Sequence, residues 1–598
     1  MNESVVISLA AILFFGVGSQ FLAWKLKLPS ILLLLLSGIA LGPITGLLDP
    51  DALFGEALFP AVSFAVAIIL FEGGLSLKIR ELKATSVVVQ RLISVGIVAT
   101  WVLCTVFAKY TLDLPWMLAA LLGSILTVTG PTVVLPLLML VRPKGHVNSV
   151  LKWEGILNDP VGALLAVLVF EVVITANLGS ATSVFVQGFG LTIVVGGLLG
   201  LGMGMLMTLA MRHHWVPEFL SNTFTLTAVL VLFTVSNLIQ HESGLFSVTI
   251  MGIYLGNQKL VSIRNLVGFK EDLRVLLLSA LFIILAARLQ IADLQQIHIG
   301  SFIFLGLLIL VVRPVAVALS TIGSPLTTGE RVFIAAMAPR GIVAAAITSL
   351  FAVRLQAMDY PGADVLAPNM FFIIIGSILI YGLAARPLAK KLDLGDDEPQ
   401  GAIILGSNTF SRAFAKTLQK DNFGVLLIDA RWANIKEARM EGIPTYLGNV
   451  LSEHATDNVS YTGIGRFIAL TPNLELNSLA CIRFSDVFGV AETYQLGELE
   501  DKDKPQQSVP DDLSGIPLFR SNATYNYLMT RMNAGSIVKR TQLSNDFTYE
   551  QFKSQNENRD PLLLCVITEQ RELLLASSKR SLQPKPGHII ITLLDAEA

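Results

Sequence analysis

Charged residues are scarce in this sequence. They make up 15% of its 598 residues, whereas soluble globular proteins are usually about 25% charged, so the whole chain is not expected to fold as one soluble globule. Cysteines number three (Cys104, Cys481 and Cys565), and their spacing fits neither a metal site nor a disulfide framework. The net charge of −2 says nothing about nucleic acid, but no basic block is present, so we expect no nucleic-acid partner.

Hydrophobic residues, at 53% of the chain, are unevenly distributed. Residues 1–392 form a series of long apolar runs, and residues 393–598 hold most of the acidic residues, amides and short polar loops. This division predicts a polytopic all-α domain in the lipid bilayer, followed by a soluble C-terminal domain. The first run lacks a basic n-region, so we expect a transmembrane span there rather than a cleaved signal peptide.

Hydropathy, with turn residues and charges as punctuation, predicts about thirteen transmembrane helices. They lie near residues 4–24, 28–48, 56–77, 85–110, 114–140, 149–175, 182–212, 221–240, 243–257, 266–289, 295–321, 329–354 and 368–391. Alternate loops are rich in Lys and Arg, and the intervening loops carry few charges or mainly acidic ones. The positive-inside rule therefore predicts that the N-terminus lies outside and the soluble domain in the cytoplasm. We expect the membrane to be a bacterial inner (plasma) membrane.

The sixth predicted span carries ionisable residues where only apolar ones are expected. In "WEGILNDPVGALL", at residues 153–165, Asp159 follows Asn158. At about 1.5 Å per residue, Asp159 lies roughly 15 Å into the span, or half the hydrocarbon thickness of about 30 Å. A charge at that depth costs about 3 kcal/mol and marks a functional candidate by default. A carboxyl group that holds a proton and a cation in turn is the minimum requirement for ion exchange.

Other polar residues lie at comparable positions in other spans. Arg340, in "MAPRGIV", is similarly deep in the twelfth span, and Glu72, in "ILFEGGLSL", is closer to the cytoplasmic end of the third. Thr129 and Thr132 fall in the middle of the fifth. For Arg340 and Glu72, structural pairing that fixes helix register is as good an explanation as function, because a buried Arg stays charged and needs a partner.

Two spans contain residues that interrupt helices. "TGPTVVLP" places Gly130, Pro131 and Pro136 in the fifth span, and "APRG" places Pro339 and Gly341 in the twelfth. Such breaks are tolerated in a membrane only where protein or a water-filled cavity receives the freed polar groups. The two spans are seven apart in order and so run in opposite directions, which is the pattern of an inverted-repeat transporter with half-helices at a central ion site.

Four motifs together resemble signatures of the monovalent cation:proton antiporter-1 family, which includes prokaryotic Na+/H+ antiporters and the eukaryotic sodium–proton exchangers. They are "EGILNDP", "LFEGGLSL", "HESGLFSVTIMGIYLGN" and "APRGIVAAAI", and the resemblance covers about residues 5–390. It implies a secondary active antiporter, not an enzyme, that exchanges Na+ or K+ for H+ by alternating access. It also implies a homodimer and a role in pH homeostasis.

The resemblance implies roles for individual residues. Asp159 is the expected carboxylate that binds the monovalent cation or the proton, Asn158 is its orienting partner, and Glu72 and Arg340 form a stabilising network with it. The pairing of Asn with a single Asp implies one-for-one, electroneutral exchange.

The sequence also departs from the family pattern. Where relatives usually have Thr-Asp-Pro, this chain has Thr129, Gly130 and Pro131, so one acidic group is missing. The oxygen ligands that remain for the ion are Asp159, Thr129, Thr132, Glu154 and backbone carbonyls. The preferred cation is therefore open, and a K+-specific efflux antiporter or a gated cation channel are the alternatives. The channel is disfavoured because no "TVGYG"-like filter is present.

Residues 399–497 alternate strand-like and helix-like segments, which predicts a doubly wound, Rossmann-like α/β domain. After its first strand comes "GSNTFS", where a dinucleotide-binding fold has G-x-G-x-x-G, and Asp429 closes the second strand. The arrangement resembles the regulator-of-K+-conductance type of nucleotide-binding domain. Gly406, Asn408, Ser411 and Asp429 are its candidate binding residues.

Asn408 and Ser411 replace the second and third glycines of that loop, and a side chain there crowds a pyrophosphate. A mononucleotide such as AMP is therefore as plausible a regulatory ligand as NAD(H), with Asp429 on the ribose hydroxyls, and no cofactor is required for transport. The alternative is a domain that binds nothing and only dimerises. Residues 498–515 are a polar linker, and residues 516–598 are expected to form a small α+β lobe.

Overall fold

The computed structural model describes residues 3–596 apart from 27, 83–84, 142, 144, 176–177, 241, 262, 290–294, 395–399, 453–462, 498–513 and 521–522. The chain divides into two compact units, residues 1–395 and residues 396–598. We call them the membrane unit and the soluble unit.

The described part of the membrane unit is helical. Its helices are α1 (Glu3–Leu26), α2 (Ser30–Ile39), α3 (Pro50–Phe54), α4 (Leu58–Ser76), α5 (Ile79–Leu82), α6 (Ser86–Arg91), α7 (Ile97–Thr111), α8 (Trp116–Ile125), α9 (Pro131–Val141), α10 (Val147–Thr175), α11 (Leu178–Arg212), α12 (Ser221–Ile239), α13 (Ser243–Asn257), α14 (Arg264–Ala287), α15 (Ile299–Leu307), α16 (Arg313–Ser320), α17 (Thr328–Ala335), α18 (Ile342–Gln356) and α19 (Leu366–Lys391). Three π-helical turns, Ala40–Ile44, Leu92–Gly96 and Leu308–Val312, extend or join these helices.

Within the described residues, eight helical runs are long and apolar enough to cross a membrane, and three more apolar helices are shorter. The short ones are Ser30–Ile44, Trp116–Ile125 and Val343–Gln356. Trp116–Ile125 has ten residues, which is roughly 15 Å or half the hydrocarbon thickness. Interruption shortens such spans, so length alone does not establish the predicted number of thirteen.

Two pairs of consecutive helices are separated by short non-helical segments at the positions of the Gly and Pro motifs. α8 ends at Ile125 and α9 begins at Pro131, where the missing proline N–H costs the helix nothing. α17 ends at Ala335, and α18 begins after Gly341, whose backbone is extended. We call residues 126–130 the first break and residues 336–341 the second break.

The long helix α10 packs closely against the first break. A Cβ atom added to Gly162 of α10 would lie 2.8 Å from the hydroxyl oxygen of Thr127 and 2.8 Å from the Val128 side chain. Only a glycine allows this approach without a shift of the neighbouring atoms. The contact brings the middle of α10, which carries Asn158 and Asp159, to the first break.

A parallel six-stranded sheet forms the first half of the soluble unit. Its strands are β1 (Gly401–Leu405), β2 (Val425–Asp429), β3 (Thr445–Leu447), β4 (Ile464–Ala469), β5 (Thr493–Gln495) and β6 (Ile516–Pro517), in the order β3-β2-β1-β4-β5-β6. The helices α20 (Thr409–Lys420), α21 (Trp432–Met440) and α22 (Leu474–Phe488) connect them. The strand order reverses between β1 and β4, which is the point where such sheets bind ligands at their carboxyl ends.

The second half is an antiparallel sheet with two helices. The strands β7 (Ile537–Gln542), β8 (Leu562–Ile567), β9 (Leu573–Leu575) and β10 (Ile589–Leu594) lie in the order β7-β10-β8-β9. The helices are α23 (Tyr525–Asn533) and α24 (Tyr549–Gln555). We call residues 518–596 the second lobe.

The boundary predicted between residues 399–497 and 516–598 needs correction. β6, which comes after the predicted linker, pairs in parallel with β5 and so completes the first sheet. Phe519, just beyond it, packs edge-on against Phe410 of α20 with ring centroids 6.0 Å apart. The two lobes therefore share a strand connection and one hydrophobic core.

Asp560 should make the second lobe sensitive to acid. It accepts hydrogen bonds from Arg520 at 2.9 Å and from the Tyr527 hydroxyl at 2.7 Å, and these hold the pKa of Asp560 below its usual value. Because the folded-state pKa is lowered, the stabilisation is present above the unfolded pKa of about 4 and is lost as pH falls.

We therefore expect Asp560→Asn to destabilise the soluble unit at pH 7 by up to about 1 kcal/mol, since the pair is partly exposed, and to remove this acid-sensitive contribution. Denaturant unfolding followed by Trp432 fluorescence in the expressed soluble unit measures both effects. Asp546→Asn, at an exposed aspartate of the same lobe, is the control. Equal stability losses at pH 7 and pH 3 would contradict the assignment.

Candidate functional site

Asp159 is fully buried in the middle of α10. Among the described residues, neither carboxyl oxygen has a hydrogen-bond partner. Buried polar groups are nearly always hydrogen-bonded, and each exception calls for an explanation. A carboxyl group left free in this way can accept a proton or a cation.

Asn158, the neighbour of Asp159, connects α10 to the first break. Its amide nitrogen donates to the hydroxyl oxygen of Thr129 at 3.0 Å, and both residues are buried. The amide oxygen of Asn158 has no partner among the described residues. The structure thus brings Asn158 and Thr129 together, whereas the side chain of Thr132 lies outside what is described.

Glu154 forms a buried ion pair with Arg313, the first residue of α16. Arg313 donates from both terminal nitrogens to the two carboxylate oxygens, one of these bonds measuring 2.8 Å. Arg313 also donates to the carbonyl of Ile334 at 3.1 Å and to that of Met337 at 3.2 Å. Arg313 therefore satisfies carbonyl groups at the second break as well as the charge of Glu154.

This geometry corrects the prediction that Glu154 is an ion ligand. Both of its carboxylate oxygens bind Arg313, so the group is already neutralised. Arg313 was not predicted as a site residue, although it is a charged residue within the apolar run "LGLLILVVRPVAVAL". An intramembrane Arg needs a partner, but nothing local identifies Glu154, which is 159 residues away.

Arg340, in the second break, reaches toward the first. It is 2% exposed, and one terminal nitrogen donates to the carbonyl of Val128 at 3.4 Å. Its backbone N–H donates to the Ser377 hydroxyl at 3.3 Å, and its Nε has no partner among the described residues. In the part of the chain that the structure describes, Arg340 is thus a buried positive charge without the paired carboxylate that Arg313 has.

A small cavity of about 10 Å³ lies between these side chains. Such a volume is just large enough for one water molecule. Its polar wall consists of Thr100, Thr127, Thr129, Glu154, Asn158, Arg313 and Arg340, and its apolar wall of Leu92, Gly96 and Ile97. Asp159 is not part of this wall, so the cavity lies on the Asn158 side of the carboxyl group.

The network that was predicted to join Glu72 and Arg340 with Asp159 stays a prediction. Glu72 is buried near the end of α4, and its carboxylate forms an ion pair with Arg274 of α14 at 3.2 Å. Arg340 instead lies beside Glu154 and Arg313 in the cavity wall. Helix α4 carries Glu72 toward α14, while the two breaks bring Arg340 toward α10.

A second candidate site is a crevice of about 170 Å³ at the carboxyl ends of the parallel strands in the soluble unit. Gly406, Asn408 and Asp429 lie in its wall. Gly406 has a φ of +97°, and a Cβ there would lie 2.9 Å from the Leu470 carbonyl. The close approach of the loops after β1 and β4 therefore requires glycine at this position.

Asp429 and the loop after β1 are bound to each other. One Asp429 oxygen accepts from the Ser407 N–H at 3.0 Å and from the Asn434 amide at 2.8 Å, and the other accepts from the Arg431 N–H at 2.8 Å. Ser411 is buried behind the loop, where its hydroxyl donates to the Gly406 carbonyl at 2.6 Å. Ser411 is thus a loop-fixing residue rather than part of the crevice wall.

Comparison with known proteins identifies relatives of both units. A family model described as "Sodium/hydrogen exchanger, transmembrane" matches residues 9–391, and one described as "TrkA-N domain" matches residues 402–497. The chain is 28% identical over 375 residues to the K(+)/H(+) antiporter NhaP2 of Shewanella oneidensis, covering 61% of this chain and 63% of that protein. It is 27% identical over 406 residues to Na(+)/H(+) antiporter 1 of Methanocaldococcus jannaschii, covering 63% and 93%.

The structure of the sodium proton antiporter MjNhaP1 from Methanocaldococcus jannaschii at pH 8 has the same fold as the membrane unit. It superposes with a TM-score of 0.57 at 24% identity, covering 65% of this chain and 98% of that one. The match to the Shewanella antiporter, in contrast, spans less than two thirds of that protein's length.

The Glu154–Arg313 pair gives a stability prediction. Arg313→Leu leaves Glu154 buried without its partner and should destabilise the membrane unit by about 3–5 kcal/mol. Glu154→Leu should lower the stability of the membrane unit by a similar amount, because it leaves Arg313 without its carboxylate partner beside Arg340. The double variant should recover most of the loss, as measured by thermal unfolding in detergent. Fully additive losses in the double variant would show that the two side chains do not interact.

Proposed function

The chain belongs to the sodium/hydrogen exchanger family, and we propose that it exchanges Na+ or K+ for H+ across the membrane at Asp159. The observation that carries this proposal is the burial of both Asp159 oxygens without hydrogen-bond partners among the described residues. A carboxylate that served only structure would have a partner such as the one Glu154 has in Arg313. Asp159 instead keeps its oxygens for a proton or a monovalent cation.

The surrounding residues prepare Asp159 for this exchange. Asn158, held by Thr129, has a free amide oxygen, and the first break supplies backbone carbonyls close to α10. Oxygen ligands are what a hard cation such as Na+ requires. With Gly130 in place of an acidic residue, Asp159 is the one described residue that we propose provides the negative charge of the ion site.

The buried charges favour one-for-one, electroneutral exchange. Glu154 and Arg313 neutralise each other, and Arg340 is always positive. Asp159 is neutralised equally by one proton and by one monovalent cation. The site therefore carries the same net charge in both loaded states, and no net charge crosses the membrane in a full cycle.

Alternating access at a central site fits the wider architecture that we propose. It comprises thirteen transmembrane spans with inverted repeats, two of them interrupted at the breaks, in a bacterial inner membrane with the N-terminus outside. We also propose a homodimer with the soluble unit in the cytoplasm. The soluble unit would regulate exchange by binding a nucleotide, AMP or NAD(H), more tightly in one conformation than in another.

The relatives support both cations, because the Shewanella protein is named a K(+)/H(+) antiporter and the Methanocaldococcus protein a Na(+)/H(+) antiporter. A K+-specific antiporter is therefore the second candidate. Comparing Na+, K+ and Li+ in one assay distinguishes the two.

Exchange should depend on Asp159. In inside-out vesicles that hold a preformed pH gradient and a pH-sensitive dye, adding Na+ or K+ should dissipate the gradient, and Asp159→Asn should abolish this response because Asn cannot exchange a proton. Asp113→Asn, at an exposed loop residue, is the control and should exchange normally. Wild-type rates in the Asp159 variant would exclude Asp159 as the carrier.

Exchange should not respond to voltage. In proteoliposomes, a potential of about 100 mV adds or removes about 2.3 kcal/mol for each net charge moved. An electroneutral cycle moves none, so the initial rate of cation-driven proton flux should be the same with and without the potential. A rate that rises under one polarity and falls under the other would show unequal stoichiometry.

A further inference from the structure

The crevice of the soluble unit has few free donors for a phosphate. In a dinucleotide-binding loop the backbone N–H groups bind the pyrophosphate. Here the Ser407 N–H donates to Asp429 at 3.0 Å and the Asn408 N–H to the Ser411 hydroxyl at 2.8 Å. The Ser411 N–H donates to the Asn408 side chain at 2.9 Å. These three groups of the loop are occupied by the chain itself.

The charges of the wall are equally unsuited to a pyrophosphate. Its charged members are Asp429 and Arg431, which balance each other, and Arg431 is exposed. The remaining polar side chains are mainly asparagines. Asn449 and Asn473 each accept a backbone N–H through their oxygen, at 2.9 Å and 2.7 Å. Their amide nitrogens are neutral donors of the kind that bind ring nitrogens and hydroxyls.

An aromatic side chain from the second lobe completes the wall. Tyr525, the first residue of α23, lies in the crevice wall with three leucines: Leu405 at the end of β1, Leu470 after β4 and Leu476 in α22. Its ring is half-buried and packs against the core that the two lobes share. A flat ring system between Tyr525 and the loops would contact both lobes at once.

The size of the crevice sets a limit on the ligand. Pockets that enclose drug-sized molecules usually measure about 300–1,000 Å³, and this one measures about 170 Å³. The crevice therefore encloses only part of a dinucleotide, and the rest of such a ligand would lie outside it.

We propose that the crevice binds the nucleoside part of its ligand, with the base stacked on Tyr525. The loop after β1 does not bind a pyrophosphate in this proposal. This inference rests on the regulatory role proposed above for the same crevice. It narrows the ligand class from nucleotides in general to nucleosides and nucleoside monophosphates. In this proposal Tyr525 is also the residue through which a bound ligand contacts the second lobe.

Calorimetric titration of the full-length protein in detergent tests the proposal, with adenosine, guanosine, uridine, AMP and NADH as probes. At least one nucleoside should bind. AMP and NADH should bind no more than a few-fold tighter than adenosine, because the N–H groups of Ser407, Asn408 and Ser411 are already occupied. Tyr525→Leu should weaken binding about tenfold, since base stacking on an aromatic ring is lost, and Tyr525→Phe should retain the affinity.

Three outcomes overturn the proposal: no nucleoside binds, NADH binds more than about tenfold tighter than adenosine, or Tyr525→Leu binds normally. Binding is measured without transport, so these outcomes leave the proposed ion exchange intact. Loss of exchange in vesicles with normal nucleoside binding would instead contradict the proposed function and leave the crevice assignment standing.

Discussion

The membrane unit depends on satisfying backbone groups that two interrupted helices release inside the bilayer. Unpaired carbonyls there are costly, because no water is available to bind them. Arg340 donates to Val128 at the first break, and Arg313 donates to Ile334 and Met337 at the second. The two arginines thus donate hydrogen bonds to carbonyl groups in or next to both breaks.

The buried positive charges of Arg313 and Arg340 both need a compensating negative charge, and their surroundings differ in this respect. Glu154 neutralises Arg313 through two hydrogen bonds. Arg340 has no carboxylate partner in the hydrogen bonds of the described residues, and Asp159 is a second carboxyl group fully buried on the same helix as Glu154. The ion-paired Glu154 and the proposed exchange carboxyl Asp159 are therefore separated by only a few residues of α10. In the proposed mechanism Glu154 stays paired with Arg313, whereas Asp159 is neutralised by whichever ligand it holds.

Part of this site could be predicted from the sequence, because polar, Gly and Pro residues interrupt otherwise apolar runs. Asn158 and Asp159 stand out by their polarity, and the breaks stand out because Gly and Pro release helical hydrogen bonds. The ion-pair partners of Glu154 and Glu72 could not be predicted. Arg313 is 159 residues from Glu154 in the sequence, and Arg274 is 202 residues from Glu72. Such pairs are set by helix packing, which no local pattern encodes. The two-residue strand β6 was missed for a similar reason, since its pairing with β5 is what defines it.

In the loop after β1, too, some features could be predicted from the sequence and others depend on the folded structure. The replacement of two glycines by Asn408 and Ser411 is visible in the sequence and argues against a tight pyrophosphate site. That these residues cap α20 and occupy the loop's own donors is a property of the folded loop. Tyr525 lies more than a hundred residues further along the chain, and only the packing of the second lobe brings it to the crevice.

Competition between a proton and a cation for Asp159 is the central claim, and proton release on cation binding tests it most directly. Saturating Na+ or K+ is added to the purified protein in weakly buffered solution, at the pH of maximal exchange, and the released protons are counted. Wild-type protein should release up to about one proton per chain, and Asp159→Asn should bind little cation and release none. Release of the same number of protons by the variant would contradict the claim.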